Sequence, residues 1–291
     1  MLVIDGHAHL FTEGVIKNVS AKADLVHLLH LEINEASRRY HITTLKESCQ
    51  EGGVSACLLL PTASVKQVAK TNDFFFDLSA NEKSFIPAGT VHPYDKKKEE
   101  ELNRLSQRGI RALKLCSFSQ GFSLEDEETK QLFFRIAQIN EAKEGTFFII
   151  LDTFYLAHRY FGTPLRHTTT PKLLAGIIKK YPSINFVAAH MGGLAAPFEE
   201  IITNLIPSKN LFLDTSNAAH VLKEEEFLSL LTQHGPEHII FGTDWPWFGH
   251  SKEVEKINRL LDKAGFLPEE KERVFAKNVL SLLKNDLFSL T

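Results

Sequence analysis

Short apolar runs recur along the chain, each separated from the next by a longer stretch with apolar residues every three or four positions. The runs are "LVID" (2–5), "SACLLL" (55–60), "FIPAGTV" (85–91), "IRALKLC" (110–116), "TFFIIL" (146–151), "INFVAAH" (184–190), "LFLDT" (211–215) and "HIIFGT" (238–243). Most are continuously apolar rather than alternating, as parallel strands covered on both faces should be. The stretches between them read as helices. "DEETKQLFFRIAQINEAKE" (126–144) starts with acids that suit a helix N-terminus. "TPKLLAGIIKKYP" (170–182) pairs a threonine cap with proline at the first helical position. "KEEEFLSLLTQHG" (223–235) and "SKEVEKINRLLDKAG" (251–265) both run to a glycine, and "LPEEKERVFAKNVLSLLKN" (267–285) follows. Within 72–78, "NDFFFDL" reads as a buried helix face, and "KKKEEE" (96–101) as a solvated charge run.

Strand and helix alternating over this length predict an α/β fold, a (β/α)8 TIM barrel, as one domain over 1–291. The segment 11–53 interrupts the rhythm. It predicts an insertion between strands 1 and 2, a loop and then one or two helices. A doubly wound open sheet would show a glycine-rich phosphate loop after its first strand, and none follows "LVID".

Composition narrows the function. Net charge is −3 with acids and bases interspersed, so nothing recommends a nucleic-acid partner. No apolar run approaches a membrane span. The chain enters "MLVIDGHAH" without the basic and long apolar regions of an export signal. Cys49, Cys57 and Cys116 are odd in number and fit no paired-thiol or zinc-knuckle motif; Cys57 and Cys116 lie in apolar runs and read as buried thiols, so a reducing cytoplasm is expected. The partner expected is a small-molecule substrate; a homo-oligomer is left open.

The candidate chemistry lies at strand ends. Residues two apart on a strand point the same way, so His7 and His9 can aim both imidazoles at one point beyond the first strand. Active sites of such barrels lie at that end, and paired imidazoles suit zinc and neighbouring divalent metals. "FVAAHMGG" puts His190 at the sixth mouth and "IIFGTDWPW" puts Asp244 at the eighth. Four such residues at three strand ends make coincidence the poorer explanation.

The order "DGHAHLF", "AAHMGGL", "FGTDWPW" and a terminal "KNVLSLL" resembles the amidohydrolase superfamily, in its amidohydrolase-2 (decarboxylase- and lactonase-like) branch, over essentially the whole chain. The resemblance implies a metal-dependent barrel that hydrolyses an amide, ester or lactone bond. It maps metal ligands onto His7 and His9, a catalytic or ligating histidine onto His190 and the acid onto Asp244. One divalent ion, zinc or else manganese, would lower the pKa of bound water from about 16 towards roughly 7. Asp244 would accept the proton, and His190 would polarise the carbonyl. The same resemblance admits a non-oxidative decarboxylase of a small aromatic or unsaturated acid and a lactonase working without metal. A barrel that only binds is the reading from another class.

The chain departs from the family at the fifth strand. There "FFIILDTFYLAH" has Leu151 and Asp152 where the family often places a metal-binding histidine. Asp152 is the substitute oxygen ligand, or else the site lacks that ligand. Lys114 is expected to line the barrel mouth or meet an acidic substrate. His92 either lines the pocket or leads into a proline turn. Asp214 is expected to tie down a loop through backbone hydrogen bonds. Ser216 and Asn217 are weaker substrate contacts. Trp245, Trp247 and Phe248 are expected to wall the pocket, while His158, Arg159, Arg166 and His167 read as solvated loop residues.

Overall fold

The computed structural model describes residues 1–143 and 145–284. Glu144 and Asn285, the last residues of two predicted helices, lie outside the described residues. The strands are β1 (Ile4–Ala8), β2 (Ala56–Leu59), β3 (Phe85–Pro87), β4 (Gly89–Thr90), β5 (Ala112–Leu115), β6 (Phe148–Leu151), β7 (Asn185–Ala188), β8 (Leu211–Asp214) and β9 (Ile239–Ile240). Every pairing is parallel, in two ladders, β1-β2-β3 and β4 through β9. The third predicted strand is thus divided at Ala88. Pro87 brings no N–H to a ladder there, and the Ala88 N–H donates instead to the Leu59 carbonyl at 3.1 Å.

The first and last strands meet through hydrogen bonds rather than a regular ladder. The N–H of Gly6 donates to Phe241 O at 2.8 Å, that of His9 to Trp245 O at 2.8 Å, and that of Asp244 to His7 O at 2.9 Å. The architecture is the expected (β/α)8 barrel. Ile4, Leu58, Ile86, Ala112, Ile150, Val187 and Ile240 form one buried cluster with Val279, Leu282 and Leu283 of the helix Asn278–Leu283. The terminal "KNVLSLL" therefore serves packing.

Strand periodicity carries this interior to the site. Two residues beyond Ala112, Ile150 and Phe212 stand Lys114, Asp152 and Asp214, which the period of two places on the same inner face. Strand β1 changes phase: its register with β2 shifts between Asp5 and Ala8. Gly6 lies close against β9, where a Cβ would come within 2.6 Å of Ile240 Cγ2. Because β1 extends to Ala8, His7 sits inside the strand rather than beyond its tip as the run "LVID" suggested.

The insertion holds four helices, Glu13–Ser20, Ala23–Leu28, Ile33–Arg39 and Ile42–Glu51, not one or two. Each spans fewer than three turns, too few for the helical period to register clearly in the sequence. Two smaller expectations also change. In "NDFFFDL" only Phe75 is buried among the phenylalanines and Phe74 is exposed, since three consecutive residues fan around a helix. In "KKKEEE", Glu101 is buried, with Asn72 Nδ2 donating to its Oε1 at 2.5 Å and Arg104 Nε to its Oε2 at 2.9 Å.

The helix Pro171–Lys180 starts as its sequence indicates. The Leu173 N–H donates to Thr170 Oγ1 at 3.2 Å, with Pro171 next to the cap. Thr170→Ala is expected to lower stability by about 1 kcal/mol, measured as a shift of the denaturation midpoint at unchanged slope.

Candidate active site

His7, His9, Lys114, Asp152, His190, Asp214, Ser216 and Asp244 converge at the C-terminal mouths of their strands. His7 Nδ1 lies 2.8 Å from Asp214 Oδ2. A carboxylate only accepts, so Nδ1 carries the proton and Nε2 presents a lone pair. His9 Nδ1 lies 2.8 Å from the Leu60 carbonyl, which fixes its tautomer the same way. Burial, helped by His7 and Lys114, holds the His9 pKa well below its usual value. The two Nε2 atoms face each other at 3.0 Å. Asp244 Oδ1 lies 3.6 Å from His9 Nε2 and 3.9 Å from His7 Nε2.

Two lone pairs held this close repel unless something positive stands by them; Lys114 Nζ, 3.5 Å from His7 Nε2, supplies one charge, and a metal ion between the rings would supply more. The ligand atoms of His7, His9 and Asp244 all lie within 4.8 Å of one another, and all three residues are buried. Two imidazoles and a carboxylate, their outer atoms fixed by Asp214 and Leu60, make a donor set that fits a divalent ion.

Asp152 stands apart from that trio. Its Oδ2 lies 3.6 Å from Lys114 Nζ and 3.6 Å from His190 Nε2. Burial alone would raise its pKa, but Lys114 and His190 outweigh that and hold it well below the carboxylate range. Burial likewise opposes charge on His190, yet Asp152, Asp244 and Asp214 lift it to about 9. These carboxylates thereby favour the charged form of His190. Asp244 shifts the other way from Asp152: burial raises its pKa against the pull of His190, His7 and Lys114.

His190 gains a pH signature from this arrangement. With its folded pKa raised above 6.5, its contribution to stability is complete below pH 6.5 and lost as pH rises through about 9. The stability of metal-free protein is expected to fall across that window. Asp152→Asn should flatten the fall, as read by denaturant titrations at both ends.

Asp214 does more than tie down a loop. Its Oδ1 accepts the N–H of His190 at 2.9 Å and of Ser216 at 3.1 Å, while Oδ2 orients His7. Ser216 Oγ lies 3.1 Å from His7 Nδ1 and 2.8 Å from His190 Nδ1, so it braces both rings. The period-two phase shared with Lys114 and Asp152 was the signal that could have placed Asp214 inside. Nothing local in the sequence revealed the role of Ser216.

The backbone is strained around these groups. His190, Met191, Asn217 and Asp244 have φ of 55°, 53°, 56° and 62°, in the left-handed region. Each such residue costs on the order of 1–3 kcal/mol, and such strain gathers at functional sites.

Above the polar floor opens a cavity of about 390 Å³. Its walls are Phe118, Phe154, Phe161, Leu194 and Trp247, together with Phe11, Val15, Val19, Leu25, Leu29 and Leu31 of the insertion segment. His9, Lys114, Asp152, His190, Asn217 and Asp244 also face it. Asn217 is fully buried there, and its side-chain oxygen and nitrogen find no hydrogen-bond partner among the described residues.

Several expected lining residues lie elsewhere. Trp245 is core, and Phe248 stacks on His220 at 3.9 Å, leaving Trp247 as the tryptophan that lines the cavity. His92 belongs to a turn, 2.8 Å from the Gln120 carbonyl through Nε2. Arg159 and Arg166 are exposed, as expected of them: Arg166 pairs with Asp126 at 3.4 Å, Arg159 lies over the Tyr160 ring, and neither lines the cavity. His167 is buried, not solvated.

The family model described as Amidohydrolase matches residues 4–284, and the chain belongs to that family of enzymes. No curated protein matches it. Solved structures share the fold. An uncharacterised TIM-barrel protein from Bordetella bronchiseptica has a TM-score of 0.75 at 16% identity, over 98% of this chain and 99% of its own. A dihydroxybenzoic acid decarboxylase from Polaromonas, with bound manganese and the inhibitor 2-nitroresorcinol, has a TM-score of 0.68 at 15% identity, over 97% and 96%. A probable 2-pyrone-4,6-dicarboxylic acid hydrolase from Acinetobacter baumannii, with citric acid bound, has a TM-score of 0.61 at 15% identity, over 98% and 100%. Among the described residues no helix is long and apolar enough to cross a membrane.

Proposed function

We propose that the protein is a metal-dependent hydrolase acting on an amide, ester or lactone carbonyl of a small, largely apolar molecule, with Asp244 as proton acceptor. The observation that carries this is the facing pair of His7 and His9 lone pairs beside Asp244, next to a His190 whose charged form is favoured. His7, His9 and Asp244 would hold one divalent ion. When bound, the ion supplies Lewis-acid polarisation and makes water more acidic. Asp244, through the carboxylate oxygen that does not face the two histidines, takes the proton from the attacking water and returns it to the leaving group. His190 donates from Nε2 to the carbonyl oxygen as negative charge grows there. Asp152 keeps His190 charged and neutralises Lys114, which is its part here in place of a fourth ligand. Asn217 offers its unpaired amide to a polar group of the substrate. The phenylalanine and Trp247 walls exclude bulk water.

Decarboxylation is the second reading, and the aromatic walls favour it, because they suit a flat aromatic acid. There His7, His9 and Asp244 hold the same ion and Asp244 delivers a proton to ring carbon. The metal-free lactonase reading asks histidines and arginines together to hold acid groups; His9 and His190 face the cavity, but neither Arg159 nor Arg166 lines it. The test loads the purified protein with manganese or zinc and screens lactones, amides, esters and aromatic acids, following acid release and carbon dioxide separately. Acid release without carbon dioxide supports hydrolysis. Carbon dioxide release overturns it in favour of the second reading.

A further inference from the structure

Behind the strand that carries His7 lies a second buried cluster that the proposed chemistry does not use. Cys49, on the helix Ile42–Glu51, and Cys57, on β2, bring their Sγ atoms to 3.1 Å. His250 Nε2 lies 3.5 Å from Cys57 Sγ and 3.9 Å from Cys49 Sγ. The same Nε2 lies 3.0 Å from Asp5 Oδ2, and His250 Nδ1 lies 2.8 Å from Ser48 Oγ. All of these side chains are buried.

Both ring nitrogens of His250 are engaged, and Asp5 Oδ2 can only accept, so the imidazole presents an N–H beside the two sulfurs. Burial opposes its charge, yet Asp5 and Cys49 lift its pKa to about 9. Contact with Cys57 brings Cys49 down to about 6, with His250 assisting against burial. Cys57 goes the opposite way, raised by burial and by Cys49 and Asp5. One thiolate beside one thiol, steadied by an imidazolium, is the arrangement of a reactive dithiol. A metal fits less well, because His250 has no lone pair left while Asp5 holds its Nε2.

A route in exists. A surface cleft of about 470 Å³, bounded by Arg39, Thr44, Glu47, Lys252 and their neighbours, reaches Ser48 and His250 at its floor. Cys49 is the chain neighbour of Ser48, so the cleft brings a small oxidant of the hydroperoxide class near the buried dithiol, and side chains must move to admit it.

We propose that Cys49 and Cys57 form a redox-active dithiol, His250 holding the attacking thiolate, which hydrogen peroxide converts to a disulfide. The Cys49 thiolate attacks one peroxide oxygen. An S–O bond forms, the O–O bond breaks, and hydroxide leaves and takes up a proton as water. Cys57, deprotonated, then attacks the sulfenic sulfur; the S–S bond forms and a second hydroxide leaves, protonated to water. Two electrons pass from the sulfurs to the peroxide. The bond would fasten the last helix of the insertion to the barrel strand beneath it; it is the earlier part of the insertion, up to Leu31, that walls the cavity.

The test treats reduced, full-length protein with hydrogen peroxide, unfolds it in alkylating agent and maps the cysteines by mass spectrometry. The expected product is a Cys49–Cys57 linked peptide about 2 Da lighter than the dithiol, with Cys116 alkylated, reversed by dithiothreitol. Cys57→Ser should stop at a sulfenic acid on Cys49 that dimedone traps. His250→Gln should slow the reaction about tenfold at neutral pH; Ser48→Ala, a gentler change, should slow it less. Full alkylation of Cys49 and Cys57 after peroxide overturns the proposal. So does zinc bound in purified protein that disappears in Cys57→Ser.

Discussion

Asp244→Asn is expected to lower kcat by about 10²–10⁴-fold with the fold intact. Asparagine matches aspartate in size and tolerates the left-handed backbone that Asp244 adopts at φ 62°. The N–H of residue 244 that donates to His7 O is kept, so the seam between β1 and the segment after β9 should hold. What disappears is an oxygen that can accept a proton, together with one charged donor of the trio. Steady-state rates at saturating substrate and metal, compared with wild type, check the prediction. A kcat within about threefold of wild type would remove Asp244 from proton transfer.

Asp214→Asn should act at one remove. Asp214 does not itself line the cavity, but it fixes the His7 tautomer and braces the turn at His190. Burial works against its charge, and His7, His190 and Ser216 overcome this and hold its pKa well below the carboxylate range. An amide can satisfy the His190 and Ser216 N–H groups with its oxygen, yet it turns an NH2 towards His7 Nδ1. The proton on His7 is then driven to Nε2, where the lone pair was. Metal affinity is expected to fall by about 10–100-fold, measured by competition with a chromophoric chelator. Loss of stability without loss of affinity would leave Asp214 a structural residue alone.

The strand rhythm, the helix starts and the four strand-end residues were legible because each rests on local chemistry. Period two placed His7 and His9 on one point, and the threonine–proline pair fixed the start at Pro171. The insertion was less legible, since its helices are short and its apolar faces make sense only against Phe154, Leu194 and Trp247 from other parts of the chain. The same limit hid the second cluster. Cys57 read as a buried thiol and Cys49 as part of no motif, until the fold set both beside His250, some two hundred residues away in sequence. Asp152 was visible as the place where a histidine was missing. Only the structure pairs it with Lys114 and His190.

The central claim is that His7, His9 and Asp244 hold one ion. Its most direct test is metal analysis of protein purified without added chelator, for wild type and for His9→Ala side by side. Close to one equivalent of manganese, zinc or a similar divalent ion is expected in the wild type, with a large loss in His9→Ala at unchanged circular dichroism. Equal metal content in both proteins, or full activity in wild type stripped of metal, would contradict the claim.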